Sequence, residues 1–312
     1  TMNRICSLLN IQIPIVQAGM IWCSDSNLAL AVSEAGAMGV IGAGSMYPQE
    51  LKHQIQNFKS KSNKSFAVNV PLLYPNIEEH MNIIMEEEVP VVITSAGNPK
   101  TWTSILKARG LKVIHVVSTL RFALKAQEAG VDAVIAEGFE AGGHNGREET
   151  TTMVLIPLVV SRLRIPVLAA GGIATGSQMA AAFALGAEGV QMGSRFVASV
   201  ESSAHLKFKQ RVIQSEEGET HLVLKKLTPV RLLKNDFYNL VAEAENRGAS
   251  PDELTTILGR ARAKKGMFEG DLIEGELEIG QVASLIDTIK PAAEIVREVY
   301  NEYCRVIKKI QL

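Results

Sequence analysis

The 312-residue chain is 46% apolar and 21% charged, enough for one large domain, or a large and a small one, around a full core. A formal net charge of −1 provides no whole-molecule field that would favour nucleic acid, and no apolar run approaches membrane-spanning length, the longest being "MVLIPLVV" at 153–160. Three distant cysteines, Cys6, Cys23 and Cys304, argue against a disulfide framework or zinc cluster and fit a reducing, cytoplasmic setting.

Thr1 ahead of Met2 reads as the remnant of an expression tag, and "TMNRICSLLN" lacks the apolar core of a signal peptide. Short apolar runs then predict strands at 13–17, 38–42, 66–70, 90–94, 112–117, 132–136, 166–170 and 188–192. None alternates with polar residues, so each is expected to be buried on both faces, as in a parallel sheet. Helical patterns fill the intervals at 26–35, 48–60, 76–88, 99–109, 119–129, 151–163 and 176–185. Ser26, Thr119 and Thr151 are candidate N-caps, and Pro157 is expected in the first turn of its helix. Gly36, Gly110, Gly130 and Gly186 stand between a helix and the next strand, where a left-handed residue ends a helix.

Repeated β/α units of one hand predict an α/β fold closed into a TIM (β/α)8 barrel over residues 1–200. The open alternative, a doubly wound sheet, would show a dinucleotide fingerprint after its first strand. "GAGSMY" (42–47) follows the second strand and lacks the third glycine, so it reads as a tight loop. Residues 201–285 break the rhythm. They are charged and show no buried-strand runs, and they predict a smaller, mostly helical lid or substrate domain. Residues 286–312 include a helix at 292–310 that returns to the barrel.

In such a barrel the active site lies at the C-terminal strand ends. These read "QAGM" (17–20), "VNV" (68–70), "TSAGNP" (94–99), "AEGFEAGGHNG" (136–146), "AAGGIATG" (169–176) and "QMGSRF" (191–196). Glycine and small polar residues at so many ends leave room for a flat ligand. Gly171-Gly172 and Gly193-Ser194 end the last two strands, where bare amides and a helix start near Gly176 or Arg195 suit a phosphate. Asn69, Glu137 and Gln191 offer polar edges to a heterocycle or a polyol chain. His144, among glycines, is placed to donate a proton or hold an oxyanion. His53, His80, His115, His205 and His221 read as structural or solvated. No metal-ligand spacing, G-x-S-x-G, P-loop or C-x-x-C is present.

"PIVQAGM", "AVSEAGAMGVIGAG", "FAVNV", "AGNP", "DAVIAEGFEAGGHNG", "IPVLAAGGIATG", "GAEGVQMGSRFVAS" and "GQVASLIDTIKP" together resemble the FMN-dependent enoyl-acyl-carrier-protein reductase II family, relatives of the nitronate monooxygenases. The resemblance is dense over 3–205, good over 266–290 and poor over 215–250. It implies an FMN-containing barrel in which Gly19 and Met20 meet the ring by backbone. Asn69 would bind the ring's polar edge and Glu137 would lie near the ribityl chain. Gly142, Gly172, Gly193 and Ser194 would line the phosphate route beside Gln191 and Met192, and His144 would be catalytic. Ala18, Pro71, Asn145 and Ser194 depart from the family pattern, and Asn145 bears on the polarity around His144.

The implied cosubstrate is NADH or NADPH, with a monovalent cation as a further candidate ligand. The implied partner is an acyl carrier protein bearing an enoyl thioester, and the implied assembly is a homodimer. Neither nucleic acid nor membrane is expected as a partner. An acidic carrier calls for a basic surface, and three clusters qualify: Lys207, Lys209 and Arg211; Lys225, Lys226, Arg231 and Lys234; and Arg260, Arg262, Lys264 and Lys265. The rival activity is nitronate oxidation on the same site. A phosphate-binding sensor and an IMP-dehydrogenase-like barrel are weaker alternatives, and the latter's cysteine loop is absent.

Overall fold

A computed structural model describes residues 3–310; the expectation about Thr1 and Met2 lies outside them. In chain order the elements are α1 (Arg4–Leu9), β1 (Ile15–Gln17), α2 (Ser26–Glu34), β2 (Gly39–Gly42), α3 (Pro48–Lys61), β3 (Phe66–Pro71), α4 (Ile77–Glu86), β4 (Val91–Ser95), α5 (Thr103–Ala108), β5 (Lys112–Val117), α6 (Leu120–Glu128) and β6 (Ala133–Glu137). They continue with β7 (Gly143–His144), α7 (Thr152–Val160), β8 (Val167–Ala170), α8 (Gly176–Ala184), β9 (Gly189–Met192), α9 (Ser194–Val197), α10 (Leu206–Ile213), β10 (Thr220–Val223), β11 (Val230–Leu233), α11 (Asp236–Asn246), α12 (Pro251–Leu258) and α13 (Ala292–Ile310).

Eight strands pair in parallel in the order β1-β9-β8-β6-β5-β4-β3-β2, the predicted barrel. Its seam, between β1 and β2, is closed in an unusual way. Only Val16 and Met38 bridge there by backbone. One residue further, the Gln17 amide takes over: its Oε1 accepts from Val40 N at 3.0 Å and its Nε2 donates to Val40 O at 3.0 Å. A primary amide has the same donor and acceptor as a peptide group, so it substitutes for a missing ladder rung inside a buried sheet.

Alternation sorts the strand residues into two layers. Val16, Val40, Ala67, Ile93, Ile114, Ile135 and Leu168 fill the lumen with Ile5 and Leu9 of α1. Ile15, Ile41, Val68, Val92, Val113, Val134, Val190 and Met192 face the helices. The four glycines predicted to end helices have φ between +82° and +99°. The "GAGSMY" segment is the expected tight loop, a single 3-10 turn before α3.

Three local expectations are corrected. The cap of α2 is Asp25, whose carboxylate accepts from Asn27 N and Leu28 N, while Ser26 opens the helix. Thr119 caps α6 as predicted, but Thr151 makes no side-chain cap; Glu140 does the work instead, accepting from Thr152 N at 2.9 and 3.0 Å. Pro157 lies inside α7 rather than in its first turn. The amide it lacks would have bonded the carbonyl of Met153, an exposed residue, so water can satisfy that oxygen.

The lid is mostly helical but holds a three-stranded antiparallel sheet, β10-β11-β7, where no strand was expected. β11 is buried along its whole length. Its charge hid it: Arg231 is 1% exposed, lies over the Phe139 ring at 4.4 Å and donates to Phe139 O at 2.8 and 3.1 Å. The long helix α13 packs against α8 and α2.

Candidate active site

The C-terminal strand ends form one continuous rim. Asn69 lies two residues beyond Ala67, and Glu137 two beyond Ile135, so both side chains point into the top of the lumen. Gln191 alternates with the outward Val190 and Met192 and is buried at the end of β9. Gly19 passes so close to β3 that a Cβ there would lie 2.2 Å from Asn69 Cβ. Gly193 is different: a Cβ on it would meet nothing nearer than Ala18 Cβ and Met20 Sδ at 3.6 Å. A methyl would therefore fit there in ordinary contact, so the packing of the fold does not itself require this glycine. Burial alone pushes the Glu137 carboxyl up to about 7, so its protonated form, a hydrogen-bond donor, persists to higher pH than for an ordinary carboxyl.

Other expected rim residues are used by the protein itself. Gly142 is bare because the backbone of 279–280 crosses it, with a Cβ 2.4 Å from Ile279 C. Ser194 Oγ accepts from Gly280 N at 2.8 Å. The closing stretch of the lid thus lies across the ends of β6 and β9. Met20 N donates to Ser24 Oγ at 2.8 Å, so its amide is engaged within its own turn. Met192 packs its side chain among the outer helices and its carbonyl accepts from Ala18 N, which leaves it off the rim. Gly171 has φ +87° and turns its bare side to Gly138 O, while Gly172 (φ +73°) faces the Glu140 side chain. The start of α8 is closed to a ligand: Glu302 of α13 accepts from Gly176 N at 3.0 Å and Ser177 N at 3.1 Å. A phosphate is left the amides near Gly172, Gly193 and Ser194.

His144 sits in β7, held by its pairing with Val230. Its accessible face opens into a cavity of about 280 Å³ under the lid, lined mainly by apolar groups such as Ile21, Trp22, Leu224 and Val230. Enclosure there lowers the imidazole pKa, against the pull of Glu276, so the ring is neutral at physiological pH. Asn145 Nδ2 donates to Ala141 O at 2.8 Å and so stiffens the histidine loop rather than facing the ring.

Tyr74, Arg262, Glu276 and Glu278 also reach this cavity and were missed. The signal for the acids was present. "ELEI" (276–279) alternates, with Leu277 and Ile279 in the core shared with the barrel and both acids on the cavity side. Two members of the basic clusters are not surface groups. Lys209 is buried, with Nζ donating to the carbonyls of Ser199, Val200 and Ser202, and Arg231 is the loop clamp described above.

A parallel barrel whose strand ends carry glycines and polar side chains, with a histidine on a largely apolar cavity nearby, is the architecture of a barrel enzyme with its site at the C-terminal rim. The sequence model "Nitronate monooxygenase" matches residues 3–82 and 74–302. A probable nitronate monooxygenase of Staphylococcus saprophyticus is 35% identical over 85% of this chain and 88% of its own. Among solved structures, FabK from Thermotoga maritima superposes with a TM-score of 0.95 at 43% identity, covering 100% of this chain and 99% of the other. Nitroalkane oxidase from Streptomyces ansochromogenes superposes with a TM-score of 0.85 at 28% identity over 98% and 99%. The chain belongs to the nitronate monooxygenase family. No helix among the described residues is long and apolar enough to cross a membrane.

Proposed function

We propose that the protein is an FMN-dependent enoyl-acyl-carrier-protein reductase. In this reading it reduces the trans-2 double bond of an enoyl thioester in fatty acid elongation, with NADH or NADPH as cosubstrate. The observation that carries the reading is the full-length likeness to FabK at 43% identity, together with an apolar cavity that would receive an acyl chain. The rim fits the cofactor: Gly193 is open, the polar lumen edge carries Asn69, Glu137 and Gln191, and the amides near Gly172 and Ser194 would receive the phosphate. Bound there, FMN supplies hydride acceptance from the nicotinamide and hydride return to the β-carbon.

The chain's own residues do the rest. Gly193 lets a ring approach backbone, while Gly19 lets the end of β1 close against Asn69. Asn69 donates to Ile93 O at 3.1 Å, which fixes its amide and leaves its oxygen to the lumen. His144 meets the thioester end of the substrate, where negative charge develops. The apolar cavity wall excludes water around that charge and strengthens each hydrogen bond to it. The exposed Lys207, Lys225, Lys226, Lys234 and Arg260, with the half-buried Lys264 and Lys265, are the surface that would receive an acidic carrier protein. The protein would act in the cytoplasm, as a homodimer.

The names of the curated relatives favour a second reading, oxidation of alkyl nitronates with O2, with His144 as base. Purified protein should show a flavin band, bleach without air on addition of NADH or NADPH, and recover its colour with a crotonyl thioester. Indifference to both nicotinamides, with turnover of a nitronate, would reverse the assignment.

A further inference from the structure

The cavity under the lid has an ionisable head. His144 pairs with Val230 of β11, and Glu278 bridges Leu232 further along the same edge of that strand, since β10 occupies the opposite edge. Opposed residues in an antiparallel ladder project to one face, and so do residues two apart. His144, Val230, Leu232 and Glu278 therefore share a face. Glu278 stands at the backbone of the histidine loop, where a Cβ on Gly143 would lie 2.5 Å from its Oε2, and His144, Glu276 and Glu278 all line the one cavity. Glu276 joins them by the two-residue alternation that buries Leu277 and Ile279 in the opposite core.

Other charged groups on the wall are committed elsewhere or weakly placed. Arg262 donates to the carbonyls of Leu258 and Glu274 and pairs with the Glu274 carboxylate; Lys264 pairs with Glu269. Tyr74 and the buried Cys23 thiol both lie in the field of Glu278 and are held protonated, by burial first. Burial, then the charge of Glu278, raises the Glu276 carboxyl, and His144 and Arg262 only partly oppose this. Burial raises Glu278 as well. Two carboxyls so placed keep a proton between them near neutrality, while the imidazole beside them is neutral. A neutral imidazole is a poor acid unless something behind it replaces the proton it gives up.

We propose that Glu276, backed by Glu278, supplies the proton that His144 delivers to the α-carbon of the substrate. The proposal rests on the reductase reading and adds a residue to it. Hydride addition at the β-carbon leaves the electron pair of the former double bond on an enolate. The O–H bond of Glu276 breaks as an N–H bond forms at one imidazole nitrogen. The N–H bond at the other nitrogen breaks as a C–H bond forms at the α-carbon. The negative charge moves from enolate to Glu276, and solvent reprotonates the carboxylate after the product leaves. Glu278 acts as a positioning residue whose charge keeps the Glu276 proton in place.

The test uses holoenzyme reduced without air by NADH or NADPH, then mixed with a crotonyl thioester over a neutral to alkaline pH series. In the wild type the rate of flavin reoxidation falls on the alkaline side as the carboxyl pair ionises. In Glu276→Gln it drops at least about tenfold at neutral pH, the order expected for a lost general acid, and the alkaline fall disappears. Glu276→Asp keeps an ionisable proton and recovers part of the rate, which separates loss of the proton from loss of the fold. A second readout needs no turnover: the His144 ring resonance in holoenzyme should show an inflection when the carboxyl pair titrates, and Glu276→Gln should remove it. Wild-type rate and pH profile in Glu276→Gln, or equal inactivity of Gln and Asp variants, overturns the relay alone. Failure of the wild type to be reoxidised by the thioester overturns the reductase reading, and the relay with it.

Discussion

Two glycines on the rim separate what the fold needs from what a ligand needs. Gly171 has φ +87° and its missing Cβ would lie 2.7 Å from Gly138 O, so Gly171→Ala should lower stability by about 2 kcal/mol through backbone strain and clash. Gly193 has neither problem, and a methyl there fits at 3.6 Å from its nearest neighbours. Gly193→Ala should therefore leave the melting temperature of cofactor-free protein unchanged and weaken FMN binding about tenfold or more, a loss of about 1.4 kcal/mol at least. Fluorescence titration with FMN beside a thermal melt reads both. Equal affinity for the two proteins would show that the open face is not the cofactor's.

Glu137 makes a pH prediction at the same scale. Its carboxyl rises from an ordinary 4.5 to about 7 in the folded chain. Between those values the folded state holds a proton that the unfolded state has lost, so stability falls as pH rises through the window and levels off above it. Glu137→Gln carries no such proton. It should flatten this part of the profile and gain on the order of 2 kcal/mol over wild type at pH above about 7 in cofactor-free protein. Urea melts at acid and neutral pH would show it; an unchanged slope would mean that the carboxyl ionises freely.

The barrel's seam is the element-scale weak point. Gln17 supplies the only donor and acceptor to Val40 where β1 and β2 would otherwise part. Gln17→Leu preserves bulk but strands a buried N–H and C=O, each costing about 1–3 kcal/mol. The urea midpoint should fall by an amount worth about 3 kcal/mol with the slope unchanged, since the same surface is still exposed on unfolding. A fall in the slope instead would mean that the seam opens in the native state.

The elements legible in the sequence were those whose signal is local. Glycines 36, 110, 130 and 186 announced helix ends because only a left-handed residue serves there, and both-face apolar runs announced the parallel sheet. What stayed hidden depends on partners distant in sequence. β11 carries Arg231, tolerable in a buried strand only because Phe139, some ninety residues earlier, offers a ring face and a carbonyl. Glu302 closing the start of α8, and Glu140 capping α7, are likewise visible only once the chain has closed on itself. Within the candidate site, the sequence singled out His144, which lies on the cavity, and Gly193, where the fold leaves room for a methyl. The acids at 276 and 278 were masked by a helical reading of their neighbourhood, although their alternation was plain.

At the scale of the whole molecule, the boundary drawn near residue 200 does not divide the core. Cys23, Ala174, Val197 and Ala198 of the barrel pack in one cluster with Phe208, Leu233, Met267, Leu277 and Ile279 of the lid. A second cluster belongs to the lid alone, with Val223, Val230, Leu232, Phe237, Val241, Ala244 and Leu254 under α11 and α12. The lid is thus half fused to the barrel and half borne on its own small core. Small cores resist local opening less than a core shared with a barrel, because less apolar surface is lost when they part. The amides of α11 and α12 should therefore exchange with solvent at lower opening free energy than those of α10 and β9, by about 1.4 kcal/mol or more, a tenfold difference in protection. The difference serves the site. Leu258 at the end of α12, with Gly259 and residues 261–264 beyond it, forms one wall of the cavity, so a loosening of this layer would widen its entrance without disturbing the barrel rim. Hydrogen exchange read by mass spectrometry resolves these segments. Uniform protection across the lid and barrel would make the cavity rigid and restrict it to ligands that fit about 280 Å³ as it stands.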